Sequence, residues 1–229
     1  MLDPQDILYV DNHLLALNKP AGLVTQPSGA HADSLESRAK DWVRQTYAKP
    51  GEVFLEAVHR IDRPVSGVVL FARTSKALSR LNESVRERDL RKLYWAVVEG
   101  SPDPAQGRLE HWLVHESHQA RVVSAGTPEA RLATLDYAAV RAQGGQTLLE
   151  ILLHTGRYHQ IRVQLAQRGW PVVGDSRYGA RTALPGGVIA LHHRELTVDH
   201  PVKHEPLTFV APCPLAEPWR RLAALSPRT

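Results

Sequence analysis

The sequence predicts an α+β fold: a large, mainly antiparallel or mixed β-sheet flanked by helices. Three observations carry this. The strand-like runs mostly follow one another or a single helix, without the regular βαβ rhythm of a doubly wound parallel sheet. "LATLDYAAVRA" and "QTLLEILLH" read as two strands joined around Gly144-Gly145, an antiparallel pair. No internal repeat, low-complexity tract or linker divides the 229 residues, so the reading is one domain spanning 1–229.

The elements follow in order. "DILYVDNHLLALNKPAG" holds two short strands split by Asp11-Asn12 and closed by Lys19-Pro20-Ala21-Gly22. In "HADSLESRAKDWVRQTYAKPG" the residues Leu35, Ala39, Trp42, Val43 and Tyr47 recur at helical spacing, and Pro50-Gly51 ends the helix. "SGVVLFA" is a strand. "TSKALSRLNESVRER" is a helix with Thr74 or Ser75 as N-cap and Leu78, Leu81 and Val85 along one stripe. "KLYWAVVEG" is the next strand, followed by the hairpin above. From Gly156 the period turns helical through Gln167, and Gly169-Trp170-Pro171 breaks it. "GVIALHH" and "PLTFVAP" read as strands, and "AEPWRRLAAL" as a terminal helix.

Composition narrows the class. Hydrophobic residues at 43% and charged residues at 23% are those of a soluble globular protein. The one cysteine, Cys213, forms no intramolecular disulfide and no paired metal-ligand motif. The start lacks a basic region leading into an apolar one, and no apolar run approaches the ~20 residues that cross a bilayer. A cytoplasmic, soluble monomer with no membrane partner is the expectation. The net charge of +4 is mild, but its distribution is uneven. Between His154 and Arg181 lie Arg157, Arg162, Arg168, Arg177 and Arg181, opposed by Asp175 alone, which marks a phosphate-facing surface.

Three segments carry the chemistry. "HRIDRPVSGVVLFA" places Asp62 between Arg60 and Arg63 at an interruption between apolar runs, where charged side chains converge on a cleft edge. "RKLYWAVVEG" carries Tyr94 in a strand. "TGRYHQIRVQLAQRGWPVVGDSRYG" brackets a helix with glycines. Taken singly, each has a bland reading: an ion-pair patch, a core aromatic, a turn. In this order and spacing the three resemble the RluA-type family of RNA pseudouridine synthases, whose pattern runs His-Arg-Leu-Asp…Thr-Ser-Gly, then Lys/Arg-x-Tyr-x-Ala-x-Val-x-Gly, then Thr-Gly-Arg-x-His-Gln-Ile-Arg…Gly-Asp-x-x-Tyr-Gly. The opening "DNHLLALNKPAGLVTQP" is similar to that family's N-terminal strand pair, and the resemblance runs from about Asp6 to Phe209.

The resemblance implies a pseudouridine synthase-like fold with a central active-site cleft, and an isomerase acting on ribosomal or transfer RNA. No cofactor and no metal is expected, consistent with the lack of GxGxxG, GxxxxGK[ST] and HExxH patterns. Asp62 matches the catalytic aspartate. Tyr94 matches the tyrosine that packs on the extracted uracil, and Arg162 the arginine that pairs with the carboxylate. Arg60 matches the residue that fills the space left by the flipped base. Arg63, Arg157, His159 and Arg168 are expected at the RNA, with Tyr158 and His159 sharing a helix face with Arg162.

Departures from the pattern are Ile61 for Leu, Val65 for Thr, and Gln164 where many members carry His. The small N-terminal RNA-binding module of many relatives is expected to be missing, leaving the catalytic domain alone. His192-His193 beside Arg194 make a weak metal site and are expected to alternate in and out of a strand. Asp175 and Tyr178 are expected to shape a loop. Two other classes compete: a non-catalytic RNA-binding protein, which gains nothing from an acid facing phosphates, and a carboxylate-dependent glycosidase, which needs two acids where only Asp62 has a motif around it.

Overall fold

A computed structural model describes residues 2–29, 31–48 and 50–223. In chain order the elements are β1 Ile7–Val10, β2 Leu14–Lys19, α1 Leu35–Thr46, β3 Glu56–Ala57, β4 Ser66–Ala72, α2 Ser75–Glu87, β5 Arg91–Glu99, β6 Gln106–Glu116, β7 Gln119–Val123, β8 Arg131–Gln143, β9 Gln146–Leu153, α3 Gln160–Gln167, β10 Leu191–Asp199, β11 Pro206–Val210 and α4 Trp219–Ala223. The fold is α+β. The chain forms two compact units, one from residues 1–91 and 193–212, the other from 92–192 and 213–229.

The first unit is built on the strand order β1–β2–β4–β10, with β3 on β4 and β11 on β10. The ladders β1–β2, β2–β4, β3–β4 and β10–β11 are antiparallel. Its core joins Leu14, Ala16, Val68, Leu70 and Ala72 of the sheet to Ala77 and Leu81 of α2 and to Leu196, Val198 and Phe209. Every residue of β4 is buried, which is why "SGVVLFA" is a continuous apolar run rather than an alternating one. Gly67 has φ +115°, and a Cβ there would sit 2.3 Å from the carbonyl oxygen of His193, so no other residue fits this crossing. The Ser34 Oγ accepts the Ser37 N–H while the Ser37 Oγ accepts the Ser34 N–H, a capping box that starts α1. Thr74 caps α2 by accepting the Ala77 N–H.

The second unit carries the strand order β5–β9–β8–β6–β7, with its ladders antiparallel. Behind it, Leu113, Ala120 and Ala133 pack on Val163 of α3. The hairpin β6–β7 was invisible to turn chemistry: its tip is Ser117-His118, both at positive φ, instead of the Asn-Gly or Asp-Gly such turns favour.

Four sequence expectations need correction. The helix expected from Gly156 begins at Gln160, because His159 sits at φ +50° and residues 155–157 are turned onto the Gln160 side chain instead. The strand expected at "GVIALHH" starts at Leu191, after a 3-10 turn at Pro185–Gly187, and runs on to Asp199. His192 and His193 do not alternate between core and solvent, since both are fully buried. The His193 Nδ1 lies 2.7 Å from the Val68 carbonyl, and the His192 ring meets Trp219 edge-on. The terminal helix expected over "AEPWRRLAAL" starts at Trp219, with residues 216–218 in a bend and turn ahead of it, and runs to Ala223; residues 224 and 225 lie outside the described residues.

Candidate active site

Asp62 belongs to the first unit, half-buried on the connection from β3 to β4. Its neighbours Ile61 and Val65 are buried, and the Val65 N–H donates to the Asp62 carbonyl, so the backbone turns tightly under the carboxylate. The loop is docked by the segment after β2. Thr25 is bonded both ways to Ile61, its Oγ1 donating to the carbonyl at 3.0 Å and accepting the N–H at 3.3 Å. The Gly22 N–H donates to the Arg63 carbonyl at 2.7 Å, and the Arg63 Nε returns a bond to the Gly22 carbonyl at 3.0 Å.

Beneath these bonds lies Lys19, fully buried. Its Nζ donates to the carbonyls of Leu23 at 2.6 Å, Pro20 at 3.0 Å and Arg63 at 3.3 Å. An ammonium has three donors, and all three are used. Burial drives the Lys19 pKa down to about 7, against the upward pull of the Asp62 charge. Sequence reasoning read "NKPAG" as a strand end with a turn. Nothing in that stretch, where the polar Asn18 precedes the lysine, signals its burial.

Arg60 and Arg63 flank the acid, both exposed. Arg63 commits its Nε to the loop contact just described. His59 is tied back into the sheet: its Nε2 accepts the Leu70 N–H at 3.3 Å, and its ring stands edge-on to His193.

Tyr94 and Arg162 belong to the second unit. Tyr94 is buried on β5, opposite Ile151 of β9. Arg162 is buried on α3, and Asp175 grips its guanidinium through two bonds, Nε to Oδ2 at 2.6 Å and Nη2 to Oδ1 at 2.9 Å. The expectation that Arg162 adds to an exposed basic surface is therefore corrected: it and Asp175 are interior partners, because a buried guanidinium requires a counter-charge. Asp175, expected to shape its loop, makes no side-chain cap for the turn that follows it and spends both carboxylate oxygens on Arg162.

Tyr158 and His159 lie ahead of α3 rather than on it, yet His159 is still brought toward Arg162 through Tyr178. The Arg162 Cζ lies 5.1 Å from the centre of the Tyr178 ring, and the Tyr178 Oη lies 2.9 Å from the His159 Nδ1. The same Oη accepts the Ala120 N–H at 2.9 Å, and burial raises the Tyr178 pKa. Tyr158, well exposed, stacks on His159 at 3.9 Å between centroids and faces His115 at 4.0 Å. This histidine–tyrosine cluster had no sequence signal, because β6 and β7 supply part of it.

Of the remaining basic residues, Arg157 donates through its Nε to the Leu132 carbonyl at 3.2 Å. Arg168, exposed at the end of α3, lays its guanidinium 5.2 Å from the Trp170 ring centre. Arg177 is exposed and donates to the His118 carbonyl. Among the described residues no group of three or more His, Cys, Asp or Glu is arranged to hold a metal ion. Among those same residues no helix is long and apolar enough to cross a membrane.

Asp62 thus lies on a docked loop of the first unit, and Tyr94 and Arg162 are buried in the second. A family model described as RNA pseudouridylate synthase matches residues 13–167. The chain is 34% identical over 216 residues to the dual-specificity RNA pseudouridine synthase RluA of Escherichia coli, covering 90% of this chain and 92% of that one. It is 36% identical to an uncharacterised RNA pseudouridine synthase of Synechocystis sp., over 92% of this chain and 66% of the relative. The ribosomal large subunit pseudouridine synthase D of Xanthomonas campestris is 34% identical over 92% of this chain and 66% of its own length. The chain thus spans about two thirds of the length of these last two. The solved structure of human RNA pseudouridylate synthase domain containing 4 shares the fold, with a TM-score of 0.77 at 23% identity, covering 92% of this chain and 89% of that one. The chain belongs to the RluA-type family of RNA pseudouridine synthases.

Proposed function

We propose that this chain converts specific uridines of ribosomal or transfer RNA to pseudouridine in the cytoplasm, with Asp62 as the catalytic carboxylate. The observation that carries the reading is the anchoring of the Asp62 loop. The chain uses a buried lysine, a threonine and a glycine contact to fix the backbone on either side of one carboxylate. Such fixing suits a reaction whose rate depends on direction more than on binding.

The isomerisation breaks the N1–C1′ bond and makes a C5–C1′ bond; C5 then loses its proton and N1 gains one. A carboxylate serves it as a nucleophile toward sugar or base, or as a base toward the 2′ position. Reaching C1′ requires the nucleotide to leave its stack, at roughly a few kcal/mol. In this mechanism the exposed Arg60 occupies the vacated place, its planar guanidinium standing in for the base. Tyr94 carries the uracil, and Arg162, held by Asp175, directs the carboxylate. His159, Arg157 and Arg168 serve the RNA backbone, and Arg63 contributes at the loop.

The test is to incubate the purified chain with unmodified transcripts of ribosomal and transfer RNA and map pseudouridine by a base-specific chemical readout. Product at discrete positions supports the isomerase. Tight RNA binding with no product at any position would instead favour a binding protein on the same fold.

A further inference from the structure

On β5, alternation places Lys92 on the same face as Tyr94, while Leu93 and Trp95 turn to the other face and are buried. The neighbour Arg91, also on the opposite face, pairs with Glu195. Lys92 has no such partner. It is half-buried, and among the described residues no acceptor lies within hydrogen-bonding distance of its ammonium and no carboxylate pairs with it. Burial alone lowers its pKa below the ordinary lysine value. Its three donors meet no protein acceptor among those residues and are open to solvent, so a group from outside the chain can take them.

The surroundings say what that is. A Cβ built on Gly156 would lie 3.8 Å from the Lys92 Nζ, so the ammonium sits against an exposed glycine that leaves its approach open. The loop around this glycine is fixed: the Gln160 Oε1 accepts both the Thr155 hydroxyl at 2.7 Å and the Arg157 N–H at 3.0 Å, and the Gln160 Nε2 donates to the Thr134 carbonyl at 3.1 Å. A rigid corner with a compact point charge at its base, and Arg157 next along the chain, suits a phosphate. Two residues along a strand span about 6.6 Å, so a group bound at Lys92 lies one nucleotide's reach from a ring on Tyr94.

We propose that Lys92 binds the backbone phosphate adjoining the target uridine, so that the base on Tyr94 is held from its own phosphodiester. The proposal rests on the isomerase reading above and adds a positioning residue to it. It predicts an unusual pairing of effects. Lys92→Met should leave thermal stability equal or higher, since it removes an unpartnered cation, while lowering kcat/KM about 30-fold or more.

The experiment uses the full chain and a short synthetic RNA holding a uridine that the wild type converts. One set of RNAs replaces the phosphate 5′ of that uridine with a neutral methylphosphonate, and a second set replaces the 3′ one. At one of the two positions the neutral linkage should slow the wild type by the same factor as Lys92→Met and slow the variant little further. Equal slowing of wild type and variant at both positions would overturn the assignment, as would full activity of Lys92→Met. Wild-type protein that forms no pseudouridine in any transcript would instead overturn the isomerase reading, and this proposal with it.

Discussion

Asp175 holds Arg162 through a two-pronged bond in which both side chains are buried, 13 residues apart and on different elements. Neither charge is tolerable alone in that setting. Asp175→Ala should destabilise the protein by roughly 3–5 kcal/mol, the usual cost of breaking a buried ion pair from one side. Chemical denaturation checks the figure. Under the proposed mechanism the folded fraction also loses most of its isomerase activity, because Arg162 no longer has a fixed direction. A variant as stable as the wild type would mean that the pair contributes nothing to the fold.

Lys19 gives a pH signature. Its pKa falls from 10.5 in the unfolded chain to about 7 in the folded one, chiefly through burial. Between those values the unfolded state binds more protons, so stability gained from Lys19 rises with pH from about 7 toward 10.5. Lys19→Met removes this titration. The stability difference between wild type and variant should move in favour of the wild type by up to ~1.4 kcal/mol per pH unit above about pH 7. Below that pH it should stay level. Urea unfolding at about pH 6, 7 and 9 measures it, and a difference that is constant throughout would contradict the assignment.

Arg157 and Arg168 are expected at the RNA backbone. Each cation that neutralises one phosphate contributes roughly one unit to the slope of log affinity against log salt. Arg157→Gln and Arg168→Gln should each weaken RNA binding and flatten that slope by about one unit. Filter binding across a salt series is sufficient. Unchanged slopes in both would place the RNA surface elsewhere on the molecule.

Much of the fold could be read from residue pattern. β4 stood out as an unbroken apolar run, α2 by its stripe and its threonine cap, and β8–β9 by alternation across a glycine pair. The candidate catalytic residues came from motifs whose order and spacing are unlike chance. What stayed hidden was tertiary. Nothing in "NKPAG" says that the lysine turns inward to three carbonyls, since lysine ordinarily lies at the surface. Asp175 read as a loop residue because its partner is 13 positions away, beyond any local spacing rule. The helix at 160 looked longer than it is because His159 adopts a left-handed conformation that periodicity cannot register.

The central claim is that Asp62 carries the reaction, and Asp62→Asn tests it most directly. The substitution keeps size and shape while removing the charge and with it the nucleophile or base. RNA affinity should be kept or strengthened, because loss of a negative charge cannot weaken attraction to phosphates. The measurement is single-turnover conversion of a bound RNA by folded Asp62→Asn protein, with its melting curve and RNA affinity determined alongside. The account predicts a folded protein that binds RNA and forms no pseudouridine. Conversion at a near-normal rate by the folded variant would contradict it.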